Sequence, residues 1–188
     1  MKLLIITYYW PPSGGGGVQR WLKFATYLDK LGCDCTIYTP SNPDVPISDS
    51  SLLDDVPTRI KVLTTPISEP SRILKKITGR SGSNRIGSSG GGGKKSLFSR
   101  FSLWVRGNLF IPDARVGWVK PSVEFLKGWL VKNKVDAIIT TGPPHSMHLI
   151  GLGLKKYNPQ LPWVADFRDP WSGVDYVVEC IMGPRARA

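Results

Sequence analysis

The chain has few of the residues that would place it in several common classes of protein. Its 188 residues include three cysteines and two histidines. An odd and sparse set of cysteines argues against a disulfide framework, and the N-terminus has no secretory signal pattern, so we predict a reduced, cytoplasmic location. Cys33 and Cys35 are too few for a metal centre, and we predict no metal. No apolar run approaches the length of a transmembrane helix.

Acidic residues are also scarce, with 14 Asp and Glu against 25 Lys and Arg and a formal net charge of +11. Such a balance suggests a polyanionic partner: a nucleic acid, an anionic membrane or a phosphorylated substrate. The segment from Arg72 to Arg106 carries nine basic residues and no acidic one. It lacks both the interleaved aromatic residues and the helix-turn-helix pattern of nucleic-acid binders, so we expect no nucleic-acid partner.

Two common phosphate-binding motifs are missing. The dinucleotide fingerprint needs an acidic residue at the end of the second strand, but the strand predicted over Cys35–Thr39 ends in Pro40. The run from Gly90 to Ser96 differs from a P-loop, because Ser88 replaces the first glycine and no strand precedes it. We therefore expect neither NAD nor a P-loop nucleotide, and we predict no cofactor.

The stretch from Leu3 to Gly32 does carry a phosphate-binding pattern. Leu3–Tyr9 is a short apolar run that predicts a buried strand, and Pro11 and Pro12 end it. Four adjacent glycines follow, and then apolar residues recur at helical spacing up to Gly32. A strand that turns on glycines into a helix presents free backbone N–H groups, which bind anions and above all phosphates. The alternative is a flexible loop.

Strands and helices alternate along the rest of the chain. We predict further strands at 35–39, 59–64, 135–141 and 161–166, and helices at 119–133 and 146–157. This order predicts the α/β class, with a Rossmann-like, doubly wound, mostly parallel sheet covered on both faces. The loops that follow the first, fourth and fifth strands should gather at the carboxyl edge, where such sheets bind ligands.

Three runs in these loops resemble one known family. They are Tyr8–Arg20, Thr140–Ser146 and Asp166–Trp171, and in this order they resemble the retaining glycosyltransferases of family 4. The resemblance implies a GT-B fold, in which two Rossmann-like halves enclose the active site. Residues 1–176 would form the N-terminal, acceptor-binding half, with a flexible basic Gly/Ser-rich insertion at about 79–96. Residues 177–188 would form an irregular tail, and the donor-binding half would be absent.

The resemblance also implies site residues. His145 would contact the sugar and assist transfer on its retained face, although a lone histidine there is also consistent with a helix cap or a core residue. Asp166 would orient the acceptor hydroxyl and Arg168 would hold an anionic acceptor, unless Arg168 and Asp169 pair with each other or cap the next helix. Binding of the donor phosphates or of the acceptor is assigned to Gly15, Gly16, Gly17, Gln19, Asp166, Arg168 and Asp169.

The predicted function is therefore the acceptor-binding part of an enzyme that transfers sugar from a nucleotide sugar to a cell-envelope glycan or lipid-linked acceptor. By this prediction the 188-residue chain alone transfers no sugar. The alternative is a stand-alone Rossmann-like nucleotide-binding or regulatory module. Phe98, Phe101 and Val105 share one face of a helix predicted over 97–110, which either packs on the sheet or docks on an anionic membrane surface. Membrane docking would make the enzyme peripheral on the inner face of the membrane.

Overall fold

A computed structural model describes residues 1–69 and 111–169 of the chain. Within them lies a five-stranded sheet with the strand order β3-β2-β1-β4-β5. The strands are β1 (Lys2–Ile6), β2 (Asp34–Pro40), β3 (Lys61–Thr65), β4 (Ala137–Gly142) and β5 (Trp163–Phe167). All four neighbouring pairs are parallel, which confirms the predicted Rossmann-like, doubly wound α/β sheet.

Within residues 1–69 and 111–169, three helices cover the sheet from two sides. They are α1 (Gly16–Lys30), α2 (Val119–Lys132) and α3 (Ser146–Tyr157). Leu3 and Ile5 of β1 belong to the apolar cluster under α1, whereas Leu4 and Ile6 belong to the cluster under α2 and α3. The central strand is therefore buried on both faces, as the apolar sequence of a parallel strand predicts. Cover is thinner at the β5 edge, where Val164 is 55% exposed.

The first strand is shorter than its apolar run. We predicted a strand as far as Tyr9, but β1 ends at Ile6. The amide of Thr7 still donates to the carbonyl of Tyr38, and its hydroxyl then donates to the carbonyl of Tyr9. This local hydrogen bond turns the backbone out of the ladder. The side chain of Tyr8 remains buried, at 1% exposure, so hydrophobicity there reflects a buried turn.

Several predictions fall on residues outside the described ranges. They are the mobile basic segment at 79–96, the helix over 97–110 and the tail over 177–188, and all three stay predictions. The residues that flank the longer gap lie together, since Arg115 Nε is 3.1 Å from Glu69 Oε1. Across the two described ranges, no helix combines the length and the apolar character that crossing a membrane requires.

Candidate functional site

The glycine turn ends in an exposed helix N-terminus. Gly15 has a φ of +100°, a backbone conformation that favours glycine, and α1 begins at Gly16. The carbonyl of Gly15 accepts hydrogen bonds from the amides of Val18 and Gln19. The first amides of a helix have no intrahelical acceptor, and this end carries partial positive charge. The glycine turn can therefore bind an anion. The side chain of Gln19 is exposed beside it.

Arg168, which directly follows β5, lies against this turn. A Cβ atom on Gly17 would be 2.8 Å from Arg168 Nη1, so a side chain at this position would displace the guanidinium from the turn. Arg168 also donates from Nη2 to Asp169 Oδ2 at 2.9 Å, so these two residues do pair, which was one of the alternatives from the sequence. Asp169 offsets part of the positive charge of Arg168. A cation at the positive end of a helix is nevertheless unfavourable until an anion lies between them.

Asp166 accepts hydrogen bonds from two helix residues and one strand residue. Arg20 donates to both carboxylate oxygens, at 2.5 and 2.9 Å. The Trp21 indole and the Thr141 hydroxyl each donate to Oδ2 at 3.0 Å. Burial alone would raise the pKa of Asp166, but these hydrogen bonds outweigh it and lower the pKa below its ordinary value. The carboxylate therefore fastens α1 to the carboxyl ends of β4 and β5.

His145 lies immediately before α3 and is 9% exposed. Its position is set by Asp113, whose carboxylate accepts from the Ser146 amide at 2.8 Å and the Ser146 hydroxyl at 2.9 Å. Burial lowers the pKa of His145, while the carboxylates of Asp113 and Asp169 oppose that shift. The imidazole stacks on Phe167 with ring centroids 5.8 Å apart. His145 is therefore a buried ring at the carboxyl edge of the sheet, next to the end of β5.

A second buried cluster lies next to these loops. The Tyr8 hydroxyl donates to Glu69 Oε1 at 2.5 Å, and the Asp44 amide donates to Glu69 Oε2 at 2.9 Å. The guanidinium carbon of Arg115 lies 4.9 Å from the centre of the Tyr8 ring. Burial raises the pKa of Tyr8, which stays protonated at neutral pH. This cluster is a structural support that sequence reasoning did not find.

The three loops therefore meet at one edge of the sheet, through Gly17 with Arg168 and through His145 with Phe167. Arg20 and Thr141 were not predicted as site residues, and Trp21 is one of the apolar residues at helical spacing after the glycine turn. Arg20 and Asp166 are separated by 146 positions, so no local pattern could have paired them. The available signal was that Arg20 follows the first strand and Asp166 ends the fifth predicted strand, since the carboxyl ends of parallel strands share one edge of a sheet.

No family model matches the chain, and a search of curated proteins also finds no match. Solved structures show distant likenesses. One is UGT2 of Phytolacca americana complexed with UDP-2fluoro-glucose and pterostilbene, at 15% identity and a TM-score of 0.46, covering 88% of this chain and 30% of that one. Another is MurG of Acinetobacter baumannii, at 15% identity and 0.44, covering 95% of this chain and 37% of that one.

A third likeness is to the C-terminal domain of a Pyrococcus furiosus hydrogenase, at 16% identity and a TM-score of 0.43, covering 88% of this chain and 89% of that domain. Glycosyltransferases and a hydrogenase domain thus match about equally well. At these scores the likenesses carry no argument about activity. The chain also spans less than two fifths of the length of UGT2 and MurG.

Proposed function

We propose that this chain is the acceptor-binding half of a retaining glycosyltransferase similar to those of family 4. It would serve transfer from a nucleotide sugar to a cell-envelope glycan or a lipid-linked acceptor. The observation that carries the proposal is the contact between Arg168 and the glycine turn at Gly17. The three sequence runs that resemble the family contribute the loops at this edge, and two of them provide this contact.

The proposed chemistry uses the positive charge of this edge. When a sugar leaves its nucleotide, negative charge grows on the diphosphate, and preorganised donors that meet this charge lower the barrier. The amides of Gly16 and Gly17 and the guanidinium of Arg168 would be these donors. His145, in the loop between β4 and α3, would contact the sugar. Asp166 and Asp169 would bind the acceptor, with Asp166 held in place by Arg20.

Anion binding is tested by titrating the 188-residue chain with inorganic pyrophosphate and following its amide ¹H–¹⁵N spectrum. We expect the amides of Gly16 and Gly17 to shift. Arg168→Gln should weaken binding at least about 10-fold, because hydrogen bonds to charged groups contribute roughly 1.5–3 kcal/mol. The matched control is Arg59→Gln, since Arg59 is 73% exposed and precedes β3 at the opposite edge. Equal weakening by both variants would contradict the proposed site.

Transfer is tested separately. The chain alone should bind pyrophosphate and transfer no sugar, because in the family most nucleotide contacts come from the second half. Linked to the donor-binding half of a family 4 enzyme, it should release nucleotide from a nucleotide sugar, and His145→Ala should abolish the release. Pyrophosphate binding without any transfer in the linked protein would support the alternative, a stand-alone nucleotide-binding or regulatory module.

A further inference from the structure

The two histidines of the chain face one small space beside Gly142, at the end of β4. A Cβ atom on Gly142 would lie 2.8 Å from His148 Nε2 and 3.0 Å from His145 Nδ1. The two ring centroids are 5.9 Å apart. Two nitrogens that are each about 3 Å from one point can both form a hydrogen bond to one oxygen atom placed there. The absence of a side chain at Gly142 keeps this space open.

The hydrogen-bond partners of His148 determine its tautomer. The Trp163 indole, which can only donate, gives its hydrogen bond to Thr140 Oγ1 at 2.9 Å. The Thr140 hydroxyl lies 2.9 Å from His148 Nδ1, and Thr140 is fully buried. A buried hydroxyl proton needs an acceptor, and Nδ1 is the one within reach. Thr140 therefore donates to Nδ1, and a neutral His148 carries its hydrogen on Nε2.

His148 is also held in the neutral form. It is 6% exposed, and burial together with the neighbouring His145 lowers its pKa to about 4, although Asp166 and Asp113 oppose the shift. Its Nε2 atom has no hydrogen-bond partner among the residues of 1–69 and 111–169. A buried N–H group without an acceptor costs free energy, so this donor calls for a function.

We infer that His148 is a positioning residue whose Nε2–H is donated into the space beside Gly142 and fixes Nδ1 of His145 as an acceptor. The bond passes through one bridging oxygen atom, because the two nitrogens do not bond each other directly. His145 then carries its own hydrogen on Nε2. Its catalytic consequence rests on the proposed function: His145 donates a hydrogen bond to a sugar oxygen and does not act as a base. Phe167, whose ring centroid is 4.0 Å from that of His148, packs against this ring.

The first test uses long-range ¹H–¹⁵N spectra of the imidazoles, which distinguish the two neutral tautomers. The chain has only two histidines, so one variant assigns all four ring nitrogens. At pH 7 we expect both rings to be neutral and to carry hydrogen on Nε2. A spectrum that shows His148 with hydrogen on Nδ1, or protonated at pH 7, would overturn the inference. This measurement on the unaltered chain needs neither a nucleotide sugar nor a sugar acceptor.

The second test separates the two nitrogens of His148. His148→Gln places an amide N–H near the position of Nε2 and loses the acceptor for Thr140. His148→Asn keeps an acceptor for Thr140 and loses the donor. We expect the ¹⁵N signals of His145 to stay in place in His148→Gln and to move toward the average of the two tautomers in His148→Asn. Thr140→Val should move the ¹⁵N signals of His148 toward the average of the two tautomers, because it removes the hydroxyl that donates to His148 Nδ1.

The outcomes are distinguishable from those of the proposed function. Unchanged His145 signals in both His148 variants would refute the positioning role, whatever the chain binds. Loss of pyrophosphate binding with both tautomers as expected would instead refute the anion site and leave the arrangement of the histidines standing. Near-ultraviolet circular dichroism checks that each variant retains its tertiary structure.

Discussion

Asp166 is the residue on which the site depends most. Its carboxylate accepts from Arg20 and Trp21 of α1 and from Thr141 of β4, while its own backbone belongs to β5. One side chain thus fixes the helix that bears the glycine turn relative to the strand that delivers Arg168. Removal of the Asp166 carboxylate or of its hydrogen-bond donors should change both the stability of the chain and the geometry of the anion site.

We predict that Arg20→Gln lowers the free energy of unfolding by about 2 kcal/mol, because it leaves a partly buried carboxylate with fewer donors. Chemical denaturation at pH 7 measures the change. The control is Lys23→Gln on the same helix. Lys23 pairs with Asp55 at 2.9 Å, but both side chains are about half exposed, so a loss below about 0.5 kcal/mol is expected.

The same pair predicts a pH dependence. The pKa of Asp166 is lowered in the folded chain, so its stabilising contribution is fully present above the unfolded pKa near 4. That contribution is lost as the pH falls through the folded pKa. The difference in free energy of unfolding between the unaltered chain and Arg20→Gln should therefore shrink below about pH 4. A difference that stays constant down to pH 2 would contradict the role assigned to this ion pair.

At this scale the sequence predicts some site residues and misses others for a physical reason. The turn at Gly15–Gly17 is local, because glycines before an amphipathic helix imply free amides wherever the helix packs. Arg20 and Thr141 act through a carboxylate that is distant in the chain. Their role depends on strand order, and β1 lies next to both β2 and β4, which the alternation of elements alone does not specify.

Among the elements, α3 packs unusually closely. A Cβ atom on Gly151 would meet the indole nitrogen of Trp163 and would lie 2.7 Å from Thr140 Cγ2. On the α2 side, a Cβ atom on Gly153 would lie 2.7 Å from Val123 Cγ2. The two glycines let the helix that follows His145 approach both the sheet and α2. This approach also brings His148, one turn into the helix, within reach of Thr140.

We predict that Gly151→Ala lowers the free energy of unfolding by up to about 2 kcal/mol. Overpacking costs roughly 1–3 kcal/mol, and the better helix propensity of alanine recovers about 1 kcal/mol of this. Gly128→Ala is the matched control, because Gly128 lies inside α2 with nothing within 4 Å of a Cβ atom. That change should raise the free energy of unfolding by about 0.5–1 kcal/mol. Stabilisation by both substitutions would show that α3 does not need its close approach.

The elements themselves were largely predictable. The helix predicted over 146–157 matches α3, and β2 extends the predicted strand by one residue at each end. These elements have a clear apolar period and are bounded by Gly, Pro or Asn. Strand β1 was overestimated because Tyr8 is buried without being in the sheet. Hydrophobicity reports burial, and it cannot distinguish a strand residue from a turn that is packed inside.

For the whole molecule, the distribution of charge matters most. The nine basic residues between Arg72 and Arg106 lie outside the described ranges, but the residues that flank them do not. Glu69 follows β3 and pairs with Arg115, and Asp113 caps α3 after β4. The described residues on either side of this segment therefore lie at the carboxyl edge, beside the proposed site.

We predict that the protein binds anionic vesicles reversibly and that high salt releases it. Each basic residue near an anionic surface adds about 1 kcal/mol at most, and salt screens this attraction. Co-sedimentation with anionic and neutral vesicles, at low and high salt, measures the binding. Replacing Lys75, Lys76, Lys94 and Lys95 together by Gln should weaken binding to the anionic vesicles without unfolding the sheet.

The control for this prediction removes the same charge from the opposite edge of the sheet. Four exposed lysines serve this purpose: Lys30 and Lys132 at the ends of α1 and α2, Lys61 at the start of β3, and Lys134 in the loop before β4. If attraction depended on net charge alone, both quadruple variants would weaken binding equally. Greater loss from the first set would mean that the segment from Arg72 to Arg106 itself attracts the membrane. Equal binding of the unaltered protein to neutral and anionic vesicles would exclude an electrostatic mechanism.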